Sequence, residues 1–258
     1  MKQYYFISGL PRSGSTLLSS ILRQNPKFHA DISSSLEPIL SNCVETLSCT
    51  DSDGFIEVEQ RKNTLKFMVD GYYHHIKEPI IFDTNRSWTS KTFFLKTIFP
   101  QTKIICCVRD IVSILNSIEL IQGKNSLYKN WMVDDESSVN VFTRCESLMR
   151  DTGLVGSALK FLMEGYCSNP EMIYICDYKT FCEDPEKMMR GIYQFLNIEY
   201  YSNHDFDNVE YSKKSFDSFV GLCDLHKTRK KVSYDPPKCI LPPMLVDKYK
   251  ELEFWQWK

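Results

Sequence analysis

No stretch of this chain approaches the roughly 20 consecutive apolar residues that a membrane-spanning helix needs. Charge of one sign is not in excess either. Lys and Arg number 31 against 33 Asp and Glu, a formal net charge of −2. No global field therefore draws the molecule to nucleic acid or to an anionic membrane, and any anion has to be held by local positive groups. Ten cysteines are present, but none shows the short paired spacing of a zinc site, and Cys106 and Cys107 are adjacent inside an apolar run. Repeats and low-complexity tracts are missing. So is a signal-peptide pattern, since the chain passes from Met-Lys-Gln straight into an apolar run. These absences predict a cytoplasmic protein with reduced, mostly buried thiols, no obligatory metal, and neither nucleic acid nor membrane as partner. Oligomeric state leaves no signature.

What is present fits one domain over 1–258. The 258 residues are 43% hydrophobic and 25% charged, enough to bury a sizeable core without staples. Apolar runs at Tyr4–Ser8, Pro79–Asp83, Lys103–Val108 and Met172–Cys176 predict four strands. Helical patterns follow from Leu17, over Leu36–Thr50, Val58–Ile76, Trp88–Phe99, from Asp110, and over Val139–Arg150, Val155–Cys167 and Glu183–Leu196. Residues 122–138 read as a loop, and regular patterning fades after Asn197. The Lys103–Val108 run is apolar throughout, as a strand covered on both faces is. Strands alternating with helices predict an α/β fold of three αβα layers around a mainly parallel sheet, with ligands at the carboxyl ends of the strands.

Gly9-Leu-Pro-Arg-Ser-Gly14-Ser15-Thr16 has the glycine spacing of a phosphate-binding P-loop, between a strand and a helix as that motif requires. It departs from the nucleoside-triphosphate type in one respect. The position after the second glycine, which carries Lys in that type, is Ser15, and the cation sits inside the loop as Arg12. Such a loop suits a shorter anionic chain with no γ-phosphate to grip. Farther on, Arg109 ends the third strand and Ser117 follows it by eight residues on the next helix. Together they can hold a second anion. Two anion sites on neighbouring strands predict a ligand with phosphates at two places.

These segments resemble the sulfotransferase superfamily. Phe6–Leu18 is similar to that family's 5′-phosphosulfate loop, and Cys107–Ser117 to its 3′-phosphate motif. Asp177-Tyr-Lys-Thr-Phe181, Asp184-Pro-Glu186 and Ile192–Leu196 resemble later family segments, and Leu225–Val232 stands where relatives close a basic loop over the nucleotide. Bacterial-type sulfotransferases look nearest, with tyrosylprotein sulfotransferases more distant. The resemblance implies a sulfuryl donor, 3′-phosphoadenosine-5′-phosphosulfate (PAPS), and its product PAP. By the same resemblance Arg12, Ser13, Gly14, Ser15, Thr16 and Leu17 hold the 5′ end, and Arg109 and Ser117 the 3′-phosphate. Tyr178 contacts the nucleotide, while Thr228, Arg229, Lys230 and Lys231 close over it.

The acceptor stays open: a small molecule, a carbohydrate or a peptide. So does the general base. Tyrosylprotein sulfotransferases carry a Glu near the position of Ser33, where this chain has none. Asp83, Asp31 and Glu37 are the remaining candidates. The histidines at 29, 74, 75, 204 and 226 fit structural or surface roles. Relatives place a catalytic Lys or His after the second predicted strand, which directs attention to Asp83 and Arg86. Those two can equally form a helix-entry ion pair beside a Trp88 core anchor. Two other functions fit the same residues: a nucleotide or small-molecule kinase with an altered loop, and a PAP-binding relative that catalyses nothing.

Overall fold

The structure is a computed structural model that describes residues 2–49, 54–124, 132, 139–209 and 228–256. Five strands, β1 (Gln3–Gly9), β2 (Phe28–Ala30), β3 (Ile80–Thr84), β4 (Ile104–Val108) and β5 (Ile173–Asp177), form one sheet of order β2-β3-β1-β4-β5. Every pairing is parallel. The central strand β1 lies between β3 and β4, so the loop leaving its carboxyl end sits in the middle of the sheet's edge.

Strand side chains alternate between two covered faces. Tyr4, Phe6, Ile104 and Cys106 point to one side and pack on α2 (Leu36–Leu47), α3 (Val58–Tyr72), α4 (Thr92–Ile98), α5 (Ile111–Lys124), α6 (Val141–Met149), α7 (Leu154–Ser168) and α10 (Pro243–Tyr249). Tyr5, Ile7, Ile105 and Cys107 point to the other and pack on α1 (Ser15–Leu22), α8 (Tyr178–Glu183) and α9 (Pro185–Leu196). Both layers bury large side chains completely, each worth about 2 kcal/mol of transfer free energy. This is the three-layer αβα arrangement with a parallel sheet.

The four predicted strands are present, and the structure adds β2. With only three residues, β2 has no periodicity of its own; its partner β3 defines it. The segment predicted as one helix from Trp88 is a 3-10 turn (Arg86–Lys91) running into α4. The predicted helix at 183–196 is α9, which starts two residues later, at Pro185, because Asp184 is its cap: the Asp184 carboxylate accepts from the Lys187 amide at 3.0 Å, with Pro185 in the first turn, and the short α8 before it was not foreseen. Helix α5 runs to Lys124, into the segment read as a loop, most of which lies outside the described residues. Helix α10 forms in the tail where no pattern was apparent, with Pro243 as its first residue. Among the described residues no helix is long and apolar enough to cross a membrane.

Candidate functional site

The loop after β1 turns through three left-handed residues, Gly9 (φ 122°), Arg12 (φ 60°) and Gly14 (φ 94°). Alternation of hand turns successive N–H groups toward one concavity. Gly9 has no room for a side chain, since a Cβ there would run into the Cys107 backbone of β4. Arg12 is the unusual member. A residue with a Cβ in this region costs about 1 kcal/mol or more, and such strain concentrates at ligand sites. At the end of the loop, α1 starts at Ser15 with Gly14 as N-cap, no side-chain cap and no acid in its first turn. Its first amides are therefore available to an anion, aided by the helix dipole.

Ser13 holds the loop together. Its hydroxyl is buried and in reach of the Leu10 and Cys107 carbonyls, the latter at 2.9 Å. Its side chain therefore faces the loop's interior, leaving its amide for a ligand.

Arg109, at the end of β4, reaches the same place. Its guanidinium donates to the Arg12 carbonyl at 3.3 Å and lies 4.8 Å over the Tyr178 ring. Only 9% of the residue is exposed, and its Nε is buried without a hydrogen-bond partner. An unmet donor on a buried cation is costly unless something fills it. Asp110 caps α5 by accepting from the Ser113 amide at 2.7 Å, which sets the helix so that Ser117 meets Arg12, with Nε donating to Oγ at 3.2 Å. Tyr178 opens α8, whose cap is Asp177 (2.9 Å to the Thr180 amide). Burial raises its phenol pKa. Its ring covers Gly14 so closely that a Cβ there would stand 2.7 Å from Cδ2.

These residues line a cleft of about 350 Å³. Arg12, Gly14, Leu17, Arg109, Ser117 and Tyr178 form its floor and one side, and Thr228, Arg229 and Lys231 the other. The second wall is anchored. The Thr228 hydroxyl donates to the Val209 carbonyl at 2.8 Å, Arg229 pairs with Asp235 at 3.3 Å, and Lys231 with Asp207 at 2.8 Å. Lys230 sits on the same strap and accepts from the Val209 amide through its carbonyl (2.8 Å). Ser13, Ser15, Thr16 and Lys230 are not side-chain walls of the cleft. The sequence reading missed Lys124, one helical turn pair beyond Ser117 on the same face of α5 and also in the lining. Reading α5 three residues longer, to 124, would have found it.

Asp83 lies elsewhere. It is 1% exposed, and its carboxylate accepts from Trp88 Nε1 at 2.6 Å and from the Tyr73 hydroxyl. Burial pushes its pKa up against the opposing pull of those donors and of Ser34. Glu37 accepts from Ser41 at 2.7 Å and lies 3.9 Å from Lys91, while Asp31 caps the Ile32 amide at 2.8 Å. His29 and His204 are half-buried, and burial lowers both pKa values, that of His204 to about 4. Arg86 lines a separate cavity beyond the end of β3. Tyr128, Trp131 and His226 lie outside the described residues. Among the described residues no group of three His, Cys, Asp or Glu side chains is placed to hold a metal.

The profile of a family described as the sulfotransferase family matches residues 5–202. No curated protein sequence matches the chain. Among solved structures, the chain is similar to the sulfotransferase domain of the Synechococcus PCC 7002 olefin synthase, at 19% identity and TM-score 0.53, covering 97% of this chain and 88% of that one. It is also similar to a sulfotransferase domain from the curacin biosynthetic pathway, at 15% identity and TM-score 0.55, covering 98% and 92%. A third is retinol dehydratase in complex with androsterone and the inactive cofactor PAP, at 10% identity and TM-score 0.51, covering 96% and 79%.

Proposed function

Since the chain belongs to the sulfotransferase family, we propose that it moves a sulfuryl group from PAPS to a hydroxyl or amine of an acceptor and releases PAP. The observation that carries this reading is Arg109. A buried cation with an unfilled Nε, in one cleft with the glycine loop, provides for a second anion beside the one the loop receives. A nucleotide phosphorylated at both ends of its ribose meets both provisions. Retinol dehydratase, which shares this fold, has been solved in complex with PAP.

The residues divide the work by position. Arg12 and the amides from Ser13 to Thr16 take the 5′ end, with Leu17 beside them. Arg109 and Ser117 take the 3′-phosphate. Tyr178 offers a flat apolar wall, and Thr228, Arg229, Lys230 and Lys231 form the strap that covers the nucleotide. When bound, PAPS supplies an activated sulfuryl group on a leaving group that gains negative charge at its 5′ side. The loop and α1 amides are fixed by the backbone, and in this account they and Arg12, whose Nε now donates to Ser117 Oγ, stabilise that charge with little reorganisation. Ser15, in place of a lysine, leaves the loop short of a grip on a γ-phosphate. A sulfuryl group carries less charge than a phosphoryl group, so the reading calls for no metal. Asp83 in this account anchors Trp88 and Tyr73 beneath the acceptor side and takes no proton.

Thermal-shift titration with PAP, AMP and Mg-ATP tests the assignment. A ligand bound only by the folded state adds about 2.7 kcal/mol at a hundredfold excess over Kd. PAP should raise Tm by several degrees and AMP by far less. A larger response to Mg-ATP would return the molecule to the kinase reading, and no response to any of the three would contradict both the donor site and the PAP-binding silent relative.

A further inference from the structure

Beyond the end of β3 lies a second cavity, about 540 Å³, that the nucleotide account leaves unused. Two guanidinium groups line it, Arg86 and Arg150, and no acidic side chain does among the described residues. Arg86 is fixed by its backbone. Its carbonyl accepts from Ser8 Oγ at 2.7 Å, and the neighbouring Asn85 amide donates to the Ile7 carbonyl at 3.0 Å. The guanidinium itself has neither a carboxylate nor a hydrogen-bond partner among the described residues. It is open to solvent at the cavity mouth, yet enough protein surrounds it to lower its pKa from the usual arginine value.

The opposite wall adds to the same field. Helix α7 begins there, with Gly153 as N-cap, no side-chain cap and no acid in its first turn. Gly153, Leu154 and Ser157 all line the cavity, so the positive end of a 15-residue helix faces Arg86. An uncharged apolar occupant would strip water from Arg86 and leave its donors unmet, a costly exchange. An anion would satisfy them with charge-assisted hydrogen bonds. The location also matters: Ser8, which holds Arg86, immediately precedes Gly9, the first residue of the phosphate loop.

We propose that this cavity is the acceptor subsite, and that the acceptor carries an anionic group, held by Arg86 and Arg150, beside the hydroxyl or amine it presents for sulfation. The proposal rests on the sulfotransferase reading and narrows its acceptor class. It sets aside flat, neutral apolar acceptors as the best fit.

Inorganic sulfate is the probe. The intact chain is saturated with PAP, and Tm is followed against sodium sulfate, with sodium chloride at equal ionic strength as control. Sulfate should stabilise the wild type beyond chloride in a saturable way. Arg86→Gln and Arg150→Gln, each compared with its own starting Tm, should weaken the apparent sulfate affinity about tenfold and keep the PAP response. Saturable stabilisation equal in all three proteins, or no difference between sulfate and chloride, overturns the anionic acceptor site while the donor reading stands. A wild type that does not respond to PAP fails the donor reading first, and the acceptor site falls with it.

Discussion

Gly14 answers two demands at once, a φ of 94° and a Cα packed under the Tyr178 ring. Gly14→Ala adds a strained backbone and a methyl at 2.7 Å from that ring. Tyr178 must move, and Arg109, stacked on it, moves with it. Loss of about 1–2 kcal/mol of stability and at least tenfold in PAP affinity is expected from urea unfolding and calorimetry. Unchanged PAP affinity would show that Tyr178 is no part of the nucleotide wall. Asp83 makes the opposite case. Asp83→Asn keeps an acceptor oxygen for only one of the two donors, Trp88 Nε1 and the Tyr73 hydroxyl, and sets an amide NH2 group against the other; it should lower stability by about 2 kcal/mol, with PAP affinity within twofold of wild type. A stable Asp83→Asn protein that binds PAP normally but has lost transfer would give Asp83 a chemical role. Sequence distinguished these two residues poorly. The glycine spacing is legible because only a backbone demand explains it. A carboxylate at a strand end reads the same whether it faces substrate or a buried indole, and only the side chains above it decide.

Among the elements, the strap over the cleft has no helical or strand repeat, so composition could suggest a basic loop but could not say what held it down. The structure gives the clamp. Asn116, buried beside Ser117 on α5, donates to the Lys238 carbonyl at 3.2 Å and accepts from the Ile240 amide at 2.8 Å. One side-chain amide thus supplies both partners that a neighbouring strand would. Asn116→Ala should loosen residues 228–240 and raise the PAP Kd about tenfold through faster dissociation, with faster amide exchange confined to the strap. Uniformly faster exchange across the sheet would make Asn116 a core residue only. The long parallel strands were legible because both faces are covered and the runs are apolar throughout. The three residues of β2 and the proline-led α10 were not, since pairing and docking define them instead of periodicity. The corner between α6 and α7, which brings Arg150 to the cavity that Arg86 also lines, depends on tertiary packing that no local pattern announces.

At the scale of the whole molecule, a net charge of −2 means that nothing attracts a polyanion from a distance. Selectivity has to come from where the few cations are fixed. The fold fixes Arg12 in the loop of the central strand and Arg109 at the end of its neighbour, on one cleft. The account therefore stands on the claim that this cleft reads two phosphates, one with each arginine. The measurement that tests it most directly is the ratio of AMP to PAP dissociation constants, by calorimetry, for the wild type and Arg109→Ala. The two ligands differ only in the 3′-phosphate. A ratio of about a hundred for the wild type, falling to within a few-fold of one in the variant while AMP binding barely changes, is the predicted result. A wild-type ratio near one, or a ratio that Arg109→Ala leaves as it was, would contradict the two-phosphate site.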